Sequence, residues 1–246
     1  KKLPDTSKKI SPADADLYRM AMAEVATRLD HKSTVQVKEE RTGVKKIGNM
    51  QSLFFLSTID GDFSFYNNLV KAPAISSIPF LSPFSYSGLM AYRFKLLKTE
   101  VVNGKKVYTI SVKPRQVSNA TVEGEVSIID SLWVILSTRF RFPSYHLPEY
   151  DFFEVEQQYE FVNSTAWMIT RQQFTYYSKS NRSKLSGQTI ATYKNFELNK
   201  EFDKKYFGVE VSSTEQQAYE KDSSFWNTTR TEPLTQKELR FIQFRD

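Results

Sequence analysis

The residues best suited to acid–base chemistry in this sequence are two pairs of glutamates, Glu123 with Glu125 and Glu154 with Glu156. Residues two apart share one face of a strand, and a convergent carboxylate pair is what glycoside hydrolysis uses. A solvent-facing strand shows the same spacing, and that is the reading adopted. Asp60-Gly61-Asp62 resembles the start of a calcium loop without the further oxygen ligands, so it reads as a turn. His31 and His146 are the two histidines and there is no cysteine. Disulfides, thiolate metal sites and cysteine nucleophiles are therefore excluded. No Gly-rich phosphate loop, G-x-S-x-G elbow or H-E-x-x-H motif occurs. Neither an enzyme, a metal nor a cofactor is expected. Asn-x-Ser/Thr triplets begin at Asn119, Asn163, Asn181 and Asn227, and they matter only in a eukaryotic secretory protein.

The basic excess is modest. The 246 residues carry 34 Lys and Arg against 28 Asp and Glu, and the cations are scattered. Short runs occur at Lys45-Lys46, Lys105-Lys106 and Lys204-Lys205, beside turn signals, where lysines keep strand edges soluble. Nucleic-acid binding would need a basic stripe interleaved with aromatics on one face, so no nucleic-acid partner is expected. No apolar run reaches the roughly 18 residues of a transmembrane helix.

The elements that would position any site are mostly strands. The chain holds 19 Phe, 13 Tyr and 3 Trp beside 8 Gly and 9 Pro, and aromatics favour pleated, half-buried surfaces. Residues 1–10 read as a flexible lead-in. Ser11 and Pro12 then open a helix. Tyr18, Met22, Val25 and Leu29 form one helical stripe, which predicts a helix from Pro12 to about Leu29. From residue 34 the period becomes two, and Leu53 to Thr58 is a short apolar run. Tyr92, Phe94 and Leu96 alternate with Arg93 and Lys95. Asn103-Gly104 supplies a type I′ turn, and Tyr108, Ile110 and Val112 return on the partner strand. Further strands are expected at Thr121–Ile129, Leu132–Phe142, Phe152–Val162, Ala166–Tyr177 and Leu185–Phe196. Strands of roughly ten residues joined by short turns make an antiparallel meander, whose apolar face must be covered.

The N-terminal helix and the segment from 60 to 88 are the candidate covers. Phe63, Phe65 and Tyr66 lead into Pro73, Pro79 and Pro83, set among Ile75, Ile78, Phe80, Leu81 and Phe84. Prolines break regular pairing, so this is an irregular apolar loop, either tucked into the core or forming a binding mouth. After Phe196 alternation stops. Ser213 or Thr214 is expected to cap a short helix through about Ser224. Thr235 with Glu238 reads as the capping box of a last helix, with Leu234 facing Leu239.

Two stretches carry a resemblance. Phe63 to Pro73, continuing through Pro79-Phe80-Leu81-Ser82-Pro83, resembles a signature of Bacteroidetes-type outer-membrane proteins of unknown function. Phe225-Trp226, Arg230, Pro233-Leu234-Thr235 and Glu238 are similar to the same family, as are Asp130 to Ile135 and Trp167; Thr231 stands where the family usually has proline. The resemblance covers roughly residues 50–246. It implies a periplasmic domain lying between a carboxypeptidase-like regulatory domain and a C-terminal outer-membrane β-barrel, with no catalytic residues to carry over. The pattern is also similar to lipoprotein-carrier folds, curved half-barrels whose aromatic face accepts acyl chains; that likeness is architectural.

The expected molecule is mainly β with peripheral helices, a large curved antiparallel sheet spanning 11–208 with its N-terminal helix. Residues 209–246 would be a helical connector toward a barrel. Its expected role is non-catalytic binding of a lipid or acylated chain in an apolar groove touched by Phe80, Leu81, Phe84 and Trp133. The alternative is a protein–protein assembly module with a filled core, partnered by another protein or by the barrel itself.

Overall fold

Two-residue alternation from Tyr92 onward folds into one sheet. A computed structural model of the chain describes residues 12–33, 36–48, 63–116, 120–179 and 185–245. The first elements are α1 (Pro12–Arg19), β1 (Ala21–Ser33) and β2 (Gln36–Gly48). Two short strands, β3 (Leu69–Val70) and β4 (Phe80–Leu81), precede α2 (Tyr86–Ala91). The sheet strands are β5 (Tyr92–Val102), β6 (Lys105–Pro114), β7 (Glu123–Ile129), β8 (Ile135–Phe142), β9 (Tyr150–Val162), β10 (Ala166–Ser178) and β11 (Ser186–Thr192). The chain ends with β12 (Ser212–Thr214), α3 (Ser223–Thr229) and α4 (Gln236–Arg245). The molecule is mainly β, as expected.

The chain packs as two compact units, one of residues 58–201 and one of residues 1–57 with 202–246. The division thus runs at 57/58 and 201/202, where the sequence had suggested 208/209. In the first unit, β5 to β11 form a seven-stranded antiparallel sheet in chain order, with β5 and β11 at its edges. It is an open sheet, not a closed barrel. Asn103 and Gly104 both take positive φ (50° and 75°), the conformation a two-residue I′ turn needs and glycine supplies without strain.

Register assigns the faces. Leu96 opposes Ile110, which opposes Val126. Phe140 opposes Val155, which opposes Phe174. Directly opposed residues share a face, so the sheet has an apolar side. Its other side is charged: Glu125, Arg139 and Glu156 lie in one cross-strand row, and Glu123, Arg141 and Glu154 in the next.

The proline-rich segment covers the apolar side. Phe63, Phe65, Val70, Ala72, Ile75 and Phe80 are buried. Phe65 packs on Phe140 at 4.7 Å between ring centroids, Phe63 on Phe174 at 5.1 Å, and Phe80 edge-on to Phe142 at 4.7 Å. Each ring removed from water contributes about 2 kcal/mol. Polar pins hold the loop down. The fully buried Tyr92 donates its hydroxyl to the Leu81 carbonyl (2.5 Å) and accepts from the Val122 amide (3.0 Å). The Leu81 amide donates to the Ala120 carbonyl at 2.8 Å. Gln157 on β9 donates to the Phe63 carbonyl at 2.8 Å.

In the second unit, β1 and β2 form a long antiparallel hairpin, and β12 joins β2 in parallel. The predicted helix through Leu29 therefore ends at Arg19. In a strand Met22 and Val25 point to opposite faces, and Ala21–Val25 is half-buried on both faces, so the apolar residues imitate a helical stripe. Tyr206 donates to Asp30 Oδ2 at 2.5 Å and lies under the Lys38 ammonium at 4.7 Å, which binds 202–207 to the hairpin. Trp226 and Phe241 are buried. The helix expected from 213 or 214 is corrected as well: those residues pair as β12, and α3 starts after Asp222, whose carboxylate accepts from the Phe225 amide at 2.8 Å. The capping box of α4 forms as expected, the Glu238 amide donating to Thr235 Oγ1 at 3.2 Å and the Thr235 amide to Glu238 Oε2 at 2.6 Å. Asp60-Gly61-Asp62, the Leu53–Thr58 run, the Ser11 cap and residues 1–10 lie outside the described residues.

Candidate functional site

An apolar cleft remains where the covering loop stops. Its one wall is Phe84 and Leu89, from the segment leading into α2 and from α2 itself. Its floor is Phe94 of β5, Ile110 of β6, and Val126 and Ile128 of β7. Its volume is about 290 Å³, at the low end of ligand pockets. Ser85 caps α2 by accepting from the Gly88 amide at 2.9 Å. Tyr86 at the rim is 89% exposed and Leu89 61%, so apolar area here is open to a partner.

The four residues expected to form a groove do not converge. Phe80 is wholly buried under the loop. Leu81 is half-buried and lines a separate depression of about 260 Å³ with Asn68, Leu69 and Tyr86. Phe84 lines the apolar cleft and faces Phe140 at 6.1 Å. Trp133 stands 71% exposed in the turn between β7 and β8, at φ 53°, and lines neither. Leu89, Phe94, Ile110, Val126 and Ile128 were not singled out as site residues. The two-residue parity that places the last four on one face was visible in sequence; the position of α2 opposite them was not.

The glutamates sit in a ladder of arginines. Arg139 donates to Glu156 at 2.9 Å and lies 3.9 Å from Glu154, and Arg141 pairs with Glu123. Partial burial pushes the Glu154 carboxyl above the usual carboxylate range, against the opposing pull of Arg139 and Arg141. The Arg139 guanidinium is pushed up chiefly by its hydrogen bond to Glu156. This is the chemistry of a solvent-facing ion-pair ladder. Among the described residues no three His, Asp or Glu side chains are placed to hold a metal. The His146 ring lies tilted against Tyr145 (4.6 Å) and edge-on to Phe80 (6.3 Å). Asn163 donates to the Phe196 carbonyl (2.9 Å) and Asn227 accepts from Arg230 (3.1 Å), so both amides serve the fold.

A family model matches residues 2–196. The chain belongs to a family of unknown function, DUF5686. The DUF5686 match spans the β1–β2 hairpin, the covering loop and all seven strands of the large sheet. It ends before Phe225, Trp226 and Arg230. Those residues have structural work: Phe225 and Trp226 lie against Gly43, and Arg230 forks onto Glu24, Nη2 to Oε2 at 2.7 Å. No curated protein and no solved structure matches the chain.

Proposed function

We propose that this DUF5686 domain is a non-catalytic interaction module that holds an apolar segment of a partner protein in the cleft between α2 and β5–β7. The observation that carries this reading is the distribution of cover on the apolar face: Phe63, Phe65 and Phe80 fill its middle, and the β5–β7 end is left open beside exposed Leu89 and Phe94. A filled core with an exposed apolar end is suited to gripping side chains from outside, and less suited to enclosing a whole acyl chain. The likeness of the Phe63–Pro83 segment to Bacteroidetes-type outer-membrane proteins supports a place on the periplasmic face of that membrane, beside a C-terminal barrel. The partner is then a periplasmic protein or the barrel itself.

The test is titration with the apolar dye 8-anilinonaphthalene-1-sulfonate. Leu89→Glu should weaken dye binding by about tenfold, and Leu132→Glu, exposed outside the cleft, should leave it unchanged. Equal binding by both variants and the parent would overturn the cleft. In native mass spectrometry the parent should run at its own 28.6 kDa. A stoichiometric lipid adduct lost in Leu89→Glu would replace the protein partner with an acyl chain.

A further inference from the structure

Resting on that reading, we infer that the partner docks as an added β-strand on the free edge of β5, and that this strand alternates apolar and acidic residues. β5 ends the sheet, paired with β6 on one side and with no strand on the other among the described residues. It is 11 residues long against 7 for the opposite edge, β11, and it is exposed along nearly its whole length. At Tyr92 the amide donates to the Gly88 carbonyl and the carbonyl accepts from Arg115 Nε at 2.9 Å; from Phe94 on, the outward amides and carbonyls are a template for an incoming chain.

The two faces of this edge differ in chemistry. Toward the cleft stand Phe94 and Leu96, 42% and 55% exposed. On the opposite face stand Arg93 and Lys95, with Lys113 of β6 directly across from Arg93. A register shift between Leu96 and Lys98 keeps Lys98 on that same face, where it pairs with Glu100 at 2.9 Å. Arginines further along this face are matched by Glu123 and Glu156. Arg93, Lys95 and Lys113 have no ion pair among the described residues, and like charges directly opposite are unfavourable. The edge is therefore short of carboxylates at the positions an added strand would face.

Only an extended chain satisfies both faces together. Its side chains alternate every residue, so apolar groups enter the cleft beside Phe94 while carboxylates meet Arg93 and Lys95, and its main chain completes the edge. A lipid tail reaches one face. A second copy of β5 would bring its own Arg93 and Lys95 to an edge whose cations already lack carboxylate partners.

The test uses the full chain and a short, capped, fluorescent peptide alternating Val and Glu, followed by anisotropy. Expected are saturable binding that weakens with salt, a loss of about tenfold in the exposed double variant Arg93→Glu/Lys95→Glu, and no binding of the Val/Lys counterpart. N-methylation of the peptide should abolish binding at one parity of positions and be tolerated at the other, because alternate amides face the sheet. Insensitivity to N-methylation, or equal binding of the Val/Lys peptide, overturns strand addition. So does capture of anionic phospholipid vesicles in place of the peptide, or a dimer abolished by Arg93→Glu/Lys95→Glu. If dye binding still depends on Leu89 while the peptide fails, the cleft stands and the strand falls; if dye binding is also indifferent to Leu89, both fall.

Discussion

Gln157 is fully buried on the apolar side of β9, where alternation calls for a hydrophobic residue. Its amide donates to the Phe63 carbonyl and to Gln172 Oε1, both at 2.8 Å, and its carbonyl accepts from Tyr159 (2.8 Å) and Thr138 (3.3 Å). Every hydrogen-bonding position of the side chain is used, and one of them fixes the covering loop. Gln157→Leu should destabilise the chain by about 2 kcal/mol in urea unfolding, since it leaves buried polar groups to find new partners. Residue 157 shares the parity of Val155 and Tyr159, but nothing local announces that its partner lies 94 positions away. Tyr159 gives a pH test. Burial pushes its phenol well above the ordinary value, as it does for Tyr92 and Tyr150. The unfolded phenol ionises at about 10, so below that pH both states hold the proton and its contribution is intact. As pH rises further the unfolded chain sheds a proton that the folded chain keeps, and stability falls. A urea series from neutral to alkaline pH should show this decline, shallower in Tyr159→Phe; an equal slope in both would contradict it.

At the scale of elements, the β5–β6 hairpin was readable because Asn103-Gly104 specifies one turn and flanking alternation fixes the register. The α4 start was readable because Thr235 and Glu238 cap each other. The β1 strand was not, since tertiary cover on both of its faces erased the period-two signal and left spacings of three and four. Nor was the start of α3, where Ser213 and Thr214 are good caps that instead pair with Glu40 and Arg41. The α3–hairpin junction is tight. A Cβ at Gly43 would fall 2.6 Å from Phe225 Cε1 and 3.3 Å from the Trp226 ring. Gly43→Ala should cost about 1–3 kcal/mol through overpacking, read as a lowered thermal midpoint. An unchanged midpoint would mean that Phe225 is free to move aside.

For the whole molecule, the two units differ in how they use the chain. Residues 58–201 are continuous, while the other unit is assembled from both ends. A self-contained core is the mark of an independent folding unit, so residues 58–201 expressed alone should give a monomer with a strand-type circular dichroism spectrum and a cooperative urea transition. A non-cooperative transition would show that this sheet needs the terminal segments. The meander, its strand order and its loop cover were legible because each follows from short-range periodicity and from the need to bury an apolar face. The cleft was not, because it depends on where the cover ends, and Phe80 and Phe84, neighbours in an equally apolar loop, finish one in the core and one at the opening. The central claim is that this cover stops short and leaves the β5 end open. Residue-resolved amide hydrogen exchange on the full chain tests it most directly. Alternate amides of Phe94–Val102 should exchange nearly as fast as free peptide while those along β8, β9 and β10 stay protected; uniform protection across β5, equal to that of β9, would contradict the account.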